Sequence, residues 1–218
     1  HSDLRRQRQM CIRDRYNNYM INKDPYNKVI LTDCDGVLLN WGYAFSVYME
    51  SQQGFEKRQE GWGSYSVADN YYISKEHAKF HIKMFNKSAA IGFLPALRDA
   101  AYYVPKIHKE LGYVFHCITS LSNDWSAQRL REQNLQKIFG ETCFEKIICL
   151  DTGEDKDRIL TEYQDSGYLW VEDKVQNAEC GLKYGLDSVL FEHGYNMDNK
   201  QFTKYPDWKS IYEDLKSA

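Results

Sequence analysis

The sequence predicts an α/β fold: a doubly wound parallel sheet with a small helical segment inserted after the first strand. Two observations support the sheet. Short apolar runs of strand length alternate with amphipathic segments of helix length along most of the chain. Several of these runs end in Asp, Thr, Ser or Glu, at the rim where parallel strands present ligand-binding residues. A length of 218 residues suits one domain of this kind with a smaller insert.

Composition argues against several other classes of protein. The net charge of −3 gives no overall field that would favour nucleic acid or membrane partners. The six cysteines form no CxxC pair, which indicates reduced, buried thiols rather than disulfides or a zinc site. No apolar run approaches the roughly 20 residues of a membrane span, and no signal-peptide core is present. We therefore expect a cytoplasmic protein, and the sequence leaves its oligomeric state open.

The first 20 residues stand apart from this pattern. Residues 1–15 are basic and polar, without periodicity, and resemble translated adapter sequence. We expect residues 1–20 to form a disordered or non-native N-terminal segment that takes no part in function.

The first apolar run, Val29–Leu31, is followed by Thr32 and then by two acids, Asp33 and Asp35, with Gly36 after them. Because the strand ends here, both carboxylates are expected on its rim, where glycine relaxes the turn. Two carboxylates held this close repel each other unless a cation or a proton lies between them. The stretch therefore suggests a hard metal ion and an oxyanion substrate.

Residues 39–91 break the alternation of strands and helices. Helices are predicted over 40–52, 66–72 and 74–86, the last two capped by serines. Aromatic residues concentrate in this segment, and most of them are expected to form its own small core. One or two could instead stack on a planar substrate group, and Trp41 and Tyr43 are the preferred candidates because they follow Asp35 closely.

The chain then returns to the sheet. A helix is predicted over 96–111 with a break at Pro105, and a strand over 113–118 that ends in Thr119 and Ser120. A hydroxyl and free N–H groups at a strand end suit a phosphate, although this pairing is also common turn chemistry. An amphipathic helix over 124–139 follows, with Trp125, Leu130, Leu135 and Ile138 predicted inward and Arg129, Arg131 and Lys137 predicted outward.

Two further strands carry charged residues after them. Lys156 follows the strand over 146–150 and opens a helix, where an ammonium opposes the helix dipole unless it neutralises an anion. A surface lysine and Lys174 remain alternatives. The strand over 167–171 ends in Glu172 and Asp173, a position suited to a divalent cation. A fifth strand over 187–191 and a helix over 206–215 complete the pattern.

These motifs resemble, in the same order, those of the haloacid dehalogenase superfamily of phosphohydrolases. They are the Asp-x-Asp-Gly-Val sequence from Asp33, the strand end at Thr119, the lysine at 156 and the acidic pair at 172–173. The resemblance spans roughly residues 28–195. It implies a core of residues 21–38 and 92–218 and a cap of residues 39–91. Asn177 stands where a common form of the fourth motif has Asp, which leaves completion of the metal shell open.

The resemblance also implies roles for the acidic residues. Mg²⁺ would be held by Asp33, the backbone carbonyl of Asp35 and Asp173, with Glu172 as a ligand or a partner of the ligands. Asp33 would attack phosphorus and form an aspartyl-phosphate. Asp35 would protonate the leaving oxygen and then activate water, a role that dehalogenases of this family do not need.

The remaining site residues would bind the phosphoryl group. Thr119, Ser120 and Lys156 would hold its oxygens. In motif character the chain is closest to 5'(3')-deoxyribonucleotidase-like members, which implies a nucleoside monophosphate as the small phosphorylated substrate. A sugar-phosphate or other small-metabolite phosphatase, and a catalytically weak module that binds a phosphate ligand, remain alternatives.

Overall fold

The computed structural model describes residues 28–58 and 64–217. The segment expected to be disordered or non-native, residues 1–20, lies outside these ranges. Within them, none of the helices combines the length and the apolar character that crossing a bilayer requires.

A parallel sheet forms the centre of the molecule and confirms the predicted fold class. In the described residues it has six strands in the order β3-β2-β1-β4-β5-β6, and every neighbouring pair is parallel. The strands are β1 (Val29–Thr32), β2 (Val114–Ser120), β3 (Phe144–Leu150), β4 (Leu169–Glu172), β5 (Asp187–Phe191) and β6 (Lys204–Tyr205). The strand order reverses between β1 and β4, so the ends of these two strands form the crevice where such sheets bind ligands.

Helices cover the sheet and form the insert after β1. The α-helices are α1 (Trp41–Gln53), α2 (Val67–Tyr71), α3 (Lys75–Asn86), α4 (Ala100–Lys106), α5 (Trp125–Phe139), α6 (Asp157–Leu160), α7 (Val175–Lys183) and α8 (Trp208–Ser217). The predicted serine caps are confirmed: the hydroxyls of Ser66 and Ser74 accept the N–H groups of Asp69 and His77. The predicted break is also present, because α4 contains Pro105 and changes into a π-helical turn over Ile107–Leu111.

The insert and the sheet share one hydrophobic core. Phe45 of α1 and Phe85 of α3 belong to the same buried cluster as Phe115 of β2 and Trp208 of α8. A second cluster, around Trp170 of β4, fills the other face of the sheet. Burial of both faces explains why the central strands read as continuous apolar runs in the sequence.

Two predictions for α5 were wrong. Trp125 was predicted inward, but it is 72% exposed at the first turn of the helix. Arg131 was predicted outward, but its side chain is fully buried. Helical periodicity assigns residues to the inner or outer face by their hydrophobicity alone. It therefore cannot identify a charged residue that is buried together with a partner of opposite charge.

Candidate active site

Three carboxylates meet at the crevice between β1 and β4. Asp33 follows β1, and its N–H donates to the carbonyl of Val171 on β4 at 3.0 Å. Glu172 ends β4 and Asp173 follows it. All three are buried, and each offers an oxygen within 4.8 Å of the others. Residues about 140 positions apart in sequence are therefore gathered at one point by strand pairing.

Lys156 is the cation of this cluster. Its Nζ lies 2.9 Å from Oδ1 of Asp33 and 2.5 Å from Oε1 of Glu172, and the side chain is 2% exposed. Burial lowers its pKa, but the attraction of the two carboxylates outweighs this effect and raises the pKa above its usual value. Lys174, the competing candidate, instead places its Nζ 5.8 Å from the ring of Tyr65.

The cluster has an excess of negative charge. Three carboxylates face one ammonium, which leaves a formal charge of −2 when all are ionised. Desolvation raises the pKa of Asp33 to about 7 despite Lys156, and burial followed by the charges of Glu172 and Asp33 raises that of Asp173 well above its usual value. An all-oxygen donor set with unbalanced negative charge fits a hard divalent cation such as Mg²⁺.

The two acids after β4 have different surroundings. Oε1 of Glu172 accepts hydrogen bonds from Lys156 and from Asn177 Nδ2 at 2.7 Å, and Oε2 accepts the N–H groups of Asp173 and Lys174 at 2.8 Å each. Burial raises the pKa of Glu172, but Lys156 and these hydrogen bonds outweigh it and hold the pKa below its usual value. Asn177 thus stabilises the Glu172 carboxylate. Four donors, one of them Lys156, already occupy both carboxylate oxygens, so Glu172 is less available as a metal ligand.

Thr119 lies at the end of β2, beside β1. Its hydroxyl is buried and has no hydrogen-bond partner among the described residues. A buried, unpaired hydroxyl costs free energy, so its position at the sheet rim fits an oxyanion that would accept a hydrogen bond from it. The hydroxyl of Ser120 is used differently, because it donates to the carbonyl of Glu154 at 2.9 Å.

The Asp35 carboxylate contacts a buried arginine. Nη1 of Arg131 donates to Oδ1 at 2.6 Å, and Nη2 donates to Oδ2 at 3.1 Å. Nη1 also lies 2.7 Å from Sγ of Cys34. The Asp35 side chain keeps 21% of its surface accessible. The role of Arg131 was not predicted from the sequence. The only signal in the sequence was that this charged residue of an amphipathic helix has no acidic residue one turn away.

The loop after β5 supports Asp173. The hydroxyl of Tyr195 donates to Oδ2 of Asp173, and Asn196 Nδ2 donates to its carbonyl at 2.8 Å. His193 stacks on Tyr195 with ring centroids 5.0 Å apart, and its Nε2 lies 2.6 Å from the carbonyl of Gly36. From the sequence this stretch was predicted only as a loop. Its position directly after β5 was the only sign that it could contribute residues to the site.

Gly36 is required by this packing. Its φ of +83° is one that side-chain-bearing residues rarely adopt, and a Cβ would lie 2.6 Å from Oδ2 of Asp173. The glycine after the second aspartate therefore allows the β1 turn to approach the acid after β4.

The aromatic residues of the insert separate into two groups. Trp41 stacks on Phe45 at 4.5 Å and donates from Nε1 to Asn86 at 2.9 Å, so it packs against the core that the insert shares with the sheet. Tyr43 is 59% exposed. Tyr65, by contrast, has its ring 5.2 Å from that of Tyr195. The hydroxyl of Tyr195 donates to Asp173, so the Tyr65 ring lies against a direct partner of the carboxylates.

Solved structures share this arrangement of strands and helices. A haloacid dehalogenase-like family hydrolase from Streptococcus pneumoniae matches with a TM-score of 0.60 and 10% identity, over 87% of this chain and 98% of the other. The chain has the haloacid dehalogenase-like fold. The HAD-hydrolase YfnB from Bacillus subtilis, bound to magnesium, matches at 0.56 and 10% identity over 87% and 98% of the two chains.

A third structure with this fold contains phosphate. CbbY from Rhodobacter sphaeroides, in complex with phosphate, matches with a TM-score of 0.55 and 15% identity over 85% of this chain and 96% of the other. Another structure of CbbY holds xylulose-(1,5)bisphosphate. No protein-family model and no curated protein matches the sequence.

Proposed function

We propose that this protein is a Mg²⁺-dependent phosphomonoester hydrolase that acts through an aspartyl-phosphate on Asp33. The observation that carries the proposal is the combination of charges at one rim. When ionised, Asp33, Glu172 and Asp173 carry two negative charges more than Lys156 can balance, and the unpaired hydroxyl of Thr119 lies at the end of the neighbouring strand. A divalent cation with a phosphoryl group would satisfy both features.

The metal would be held by Asp33, Asp173 and the backbone carbonyl of Asp35. Oδ1 of Asp33 forms an ion pair with Lys156 and accepts a hydrogen bond from the N–H of Cys34. Oδ2 of Asp173 accepts a hydrogen bond from the Tyr195 hydroxyl. The other oxygen of each carboxylate is therefore proposed as the ligand atom. When bound, magnesium supplies positive charge that offsets the carboxylates and the phosphoryl oxygens.

The residues of the chain perform the chemistry in two steps. A carboxylate oxygen of Asp33 attacks phosphorus in line, while the bond from phosphorus to the ester oxygen breaks and Asp35 gives that oxygen a proton. Asp35 then takes a proton from water, which attacks the aspartyl-phosphate and releases phosphate and free Asp33. The Thr119 hydroxyl and the Lys156 ammonium donate to the phosphoryl oxygens in both steps.

A nucleoside monophosphate is the proposed substrate, with residues 39–91 acting as a cap over the core. Tyr65 supports this choice, because its ring contacts that of Tyr195, the partner of Asp173, and the residue is 58% exposed. A planar base can stack on such a ring. The fold comparisons favour the second candidate, a sugar-phosphate phosphatase, since CbbY holds a sugar bisphosphate.

A panel of phosphomonoesters tests both the proposed phosphatase activity and the proposed preference for nucleotides. The purified protein is assayed for phosphate release from nucleoside monophosphates and sugar phosphates, in Mg²⁺ and in EDTA. We expect Mg²⁺-dependent turnover with higher kcat/KM for nucleotides, and preferential loss of nucleotide turnover in Y65A. F80A, which alters a similarly exposed aromatic residue of the same insert, is the matched control.

The outcomes of the panel separate the alternatives. Equal or better turnover of sugar phosphates would replace the nucleotidase assignment with the sugar-phosphate one. A protein that hydrolyses nothing on the panel, but is thermally stabilised by a nucleotide, would support a phosphate-binding module instead.

A further inference from the structure

Helix α5 directs one buried arginine at the proposed acid–base residue. Both terminal nitrogens of Arg131 donate to Asp35, at 2.6 and 3.1 Å, so each carboxylate oxygen receives one hydrogen bond. A planar guanidinium that meets a carboxylate in this way fixes the orientation of the acid as well as its distance. The rotamer of Asp35 is therefore set from outside its own loop.

The helix that carries Arg131 is held at several points along its length. Oδ1 of Asp124 caps the first turn by accepting the N–H of Ser126 at 2.9 Å, and Gln128 Nε2 donates to the carbonyl of Ser122 at 2.9 Å. Asn134 Nδ2 donates to the carbonyl of Leu94 at 3.0 Å. These contacts join α5 to the loop after Thr119 and to the segment that returns from the insert, so Arg131 extends from a rigid support.

We propose that Arg131 is a positioning residue that holds the Asp35 carboxylate where it meets the leaving-group oxygen. The inference rests on the proposed phosphohydrolase function. One observation favours this role over simple stabilisation. The Asp35 side chain keeps 21% of its surface accessible, whereas that of Arg131 has none, so the pair leaves part of the acid accessible to a substrate.

Leaving groups of different basicity distinguish positioning from stability. An alkyl phosphate needs a proton on its departing alkoxide, whereas 4-nitrophenolate departs without one. The parameter kcat/KM covers the steps up to departure of that group, so the later attack of water does not enter it. Displacing Asp35 should therefore penalise the alkyl ester selectively.

R131M and R131K are compared with the wild type on a nucleoside or sugar phosphate and on 4-nitrophenyl phosphate. Because a positioned acid contributes about 10²–10⁴-fold, we expect R131M to lose about 10²-fold in kcat/KM on the alkyl ester and less than about 10-fold on the aryl ester. R131K keeps the charge but not the planar fork, so its loss on the alkyl ester should be intermediate.

Two controls test whether the effect is specific to Arg131 and whether it depends on Asp35. R129M removes an exposed arginine of the same helix, whose partner is Glu132, and should leave the ratio of the two kcat/KM values unchanged. In a D35N background, R131M should cause no further change in that ratio, because the residue being positioned is already disabled.

The results that would overturn the inference are specific. Equal losses on both esters in R131M and R131K, with an active wild type, would show that Arg131 only stabilises the fold. Fully multiplicative losses in D35N/R131M would show that Arg131 acts independently of Asp35. A wild type that hydrolyses neither ester would instead refute the proposed function, and the inference with it.

Discussion

Replacing the proposed nucleophile is expected to stabilise the metal-free protein. Burial raises the pKa of Asp33 from 3.8 to about 7. The unfolded carboxyl ionises near its ordinary value, so stability is lost as pH rises from about 4 through 7. A shift of about 3 pKa units corresponds to roughly 4 kcal/mol at pH 8. Because Asn resembles the neutral carboxyl, D33N should recover about this amount, or roughly 10 °C in Tm for a chain of this size.

The assay is thermal and urea unfolding in EDTA at pH 5 and pH 8. D33N should exceed the wild type most clearly at pH 8, and saturating Mg²⁺ should raise the Tm of the wild type far more than that of D33N. D157N removes an exposed carboxylate paired with Lys183 and is the matched control, with an expected change within about 0.5 kcal/mol. A D33N protein no more stable than the wild type at pH 8 would refute the electrostatic reasoning.

Three further substitutions test other parts of the structure. T119V removes an unpaired buried hydroxyl, so it should weaken inhibition by vanadate about tenfold and raise the free energy of unfolding in plain buffer by about 1–3 kcal/mol. G36A places a Cβ 2.6 Å from Asp173 at a φ of +83°, so urea unfolding should show a loss of about 1–3 kcal/mol and the Mg²⁺-induced rise in Tm should shrink. Burial lowers the pKa of His116 to about 4, so the contribution of this histidine to stability should fall by up to about 3 kcal/mol between pH 6.5 and 4, opposite in sign to that of Asp33. In urea titrations across this pH range, the stability of H116N relative to the wild type should therefore increase as the pH falls, and a difference that does not change with pH would contradict the assignment.

The sequence was sufficient to predict the parts of the fold that depend on local patterns. The apolar runs predicted five strands, and the parallel arrangement followed from their alternation with helices. Strand β6 was missed because two residues, Lys204 and Tyr205, carry no periodic signal. The bounds of α4 also differed, since the helix begins at Ala100 rather than at residue 96.

The carboxylate cluster could be anticipated for a physical reason. Asp33, Lys156 and Glu172 each lie at the end of a strand or directly before a helix, and parallel strands bring such positions to one rim. Side chains that act through a partner were not predictable in this way. The pairing of Arg131 with Asp35 and the approach of Tyr195 to Asp173 depend on how helices and loops pack, which no local pattern encodes.

The most direct test of the central claim is chemical trapping of the intermediate. Borohydride added during turnover of a phosphomonoester with Mg²⁺ reduces an acyl phosphate to an alcohol, which converts an aspartate to homoserine. Peptide mass spectrometry should then find homoserine at position 33, dependent on both substrate and Mg²⁺. Steady phosphate release with Asp33 unmodified, or with the modification at another carboxylate, would contradict the proposed role of Asp33.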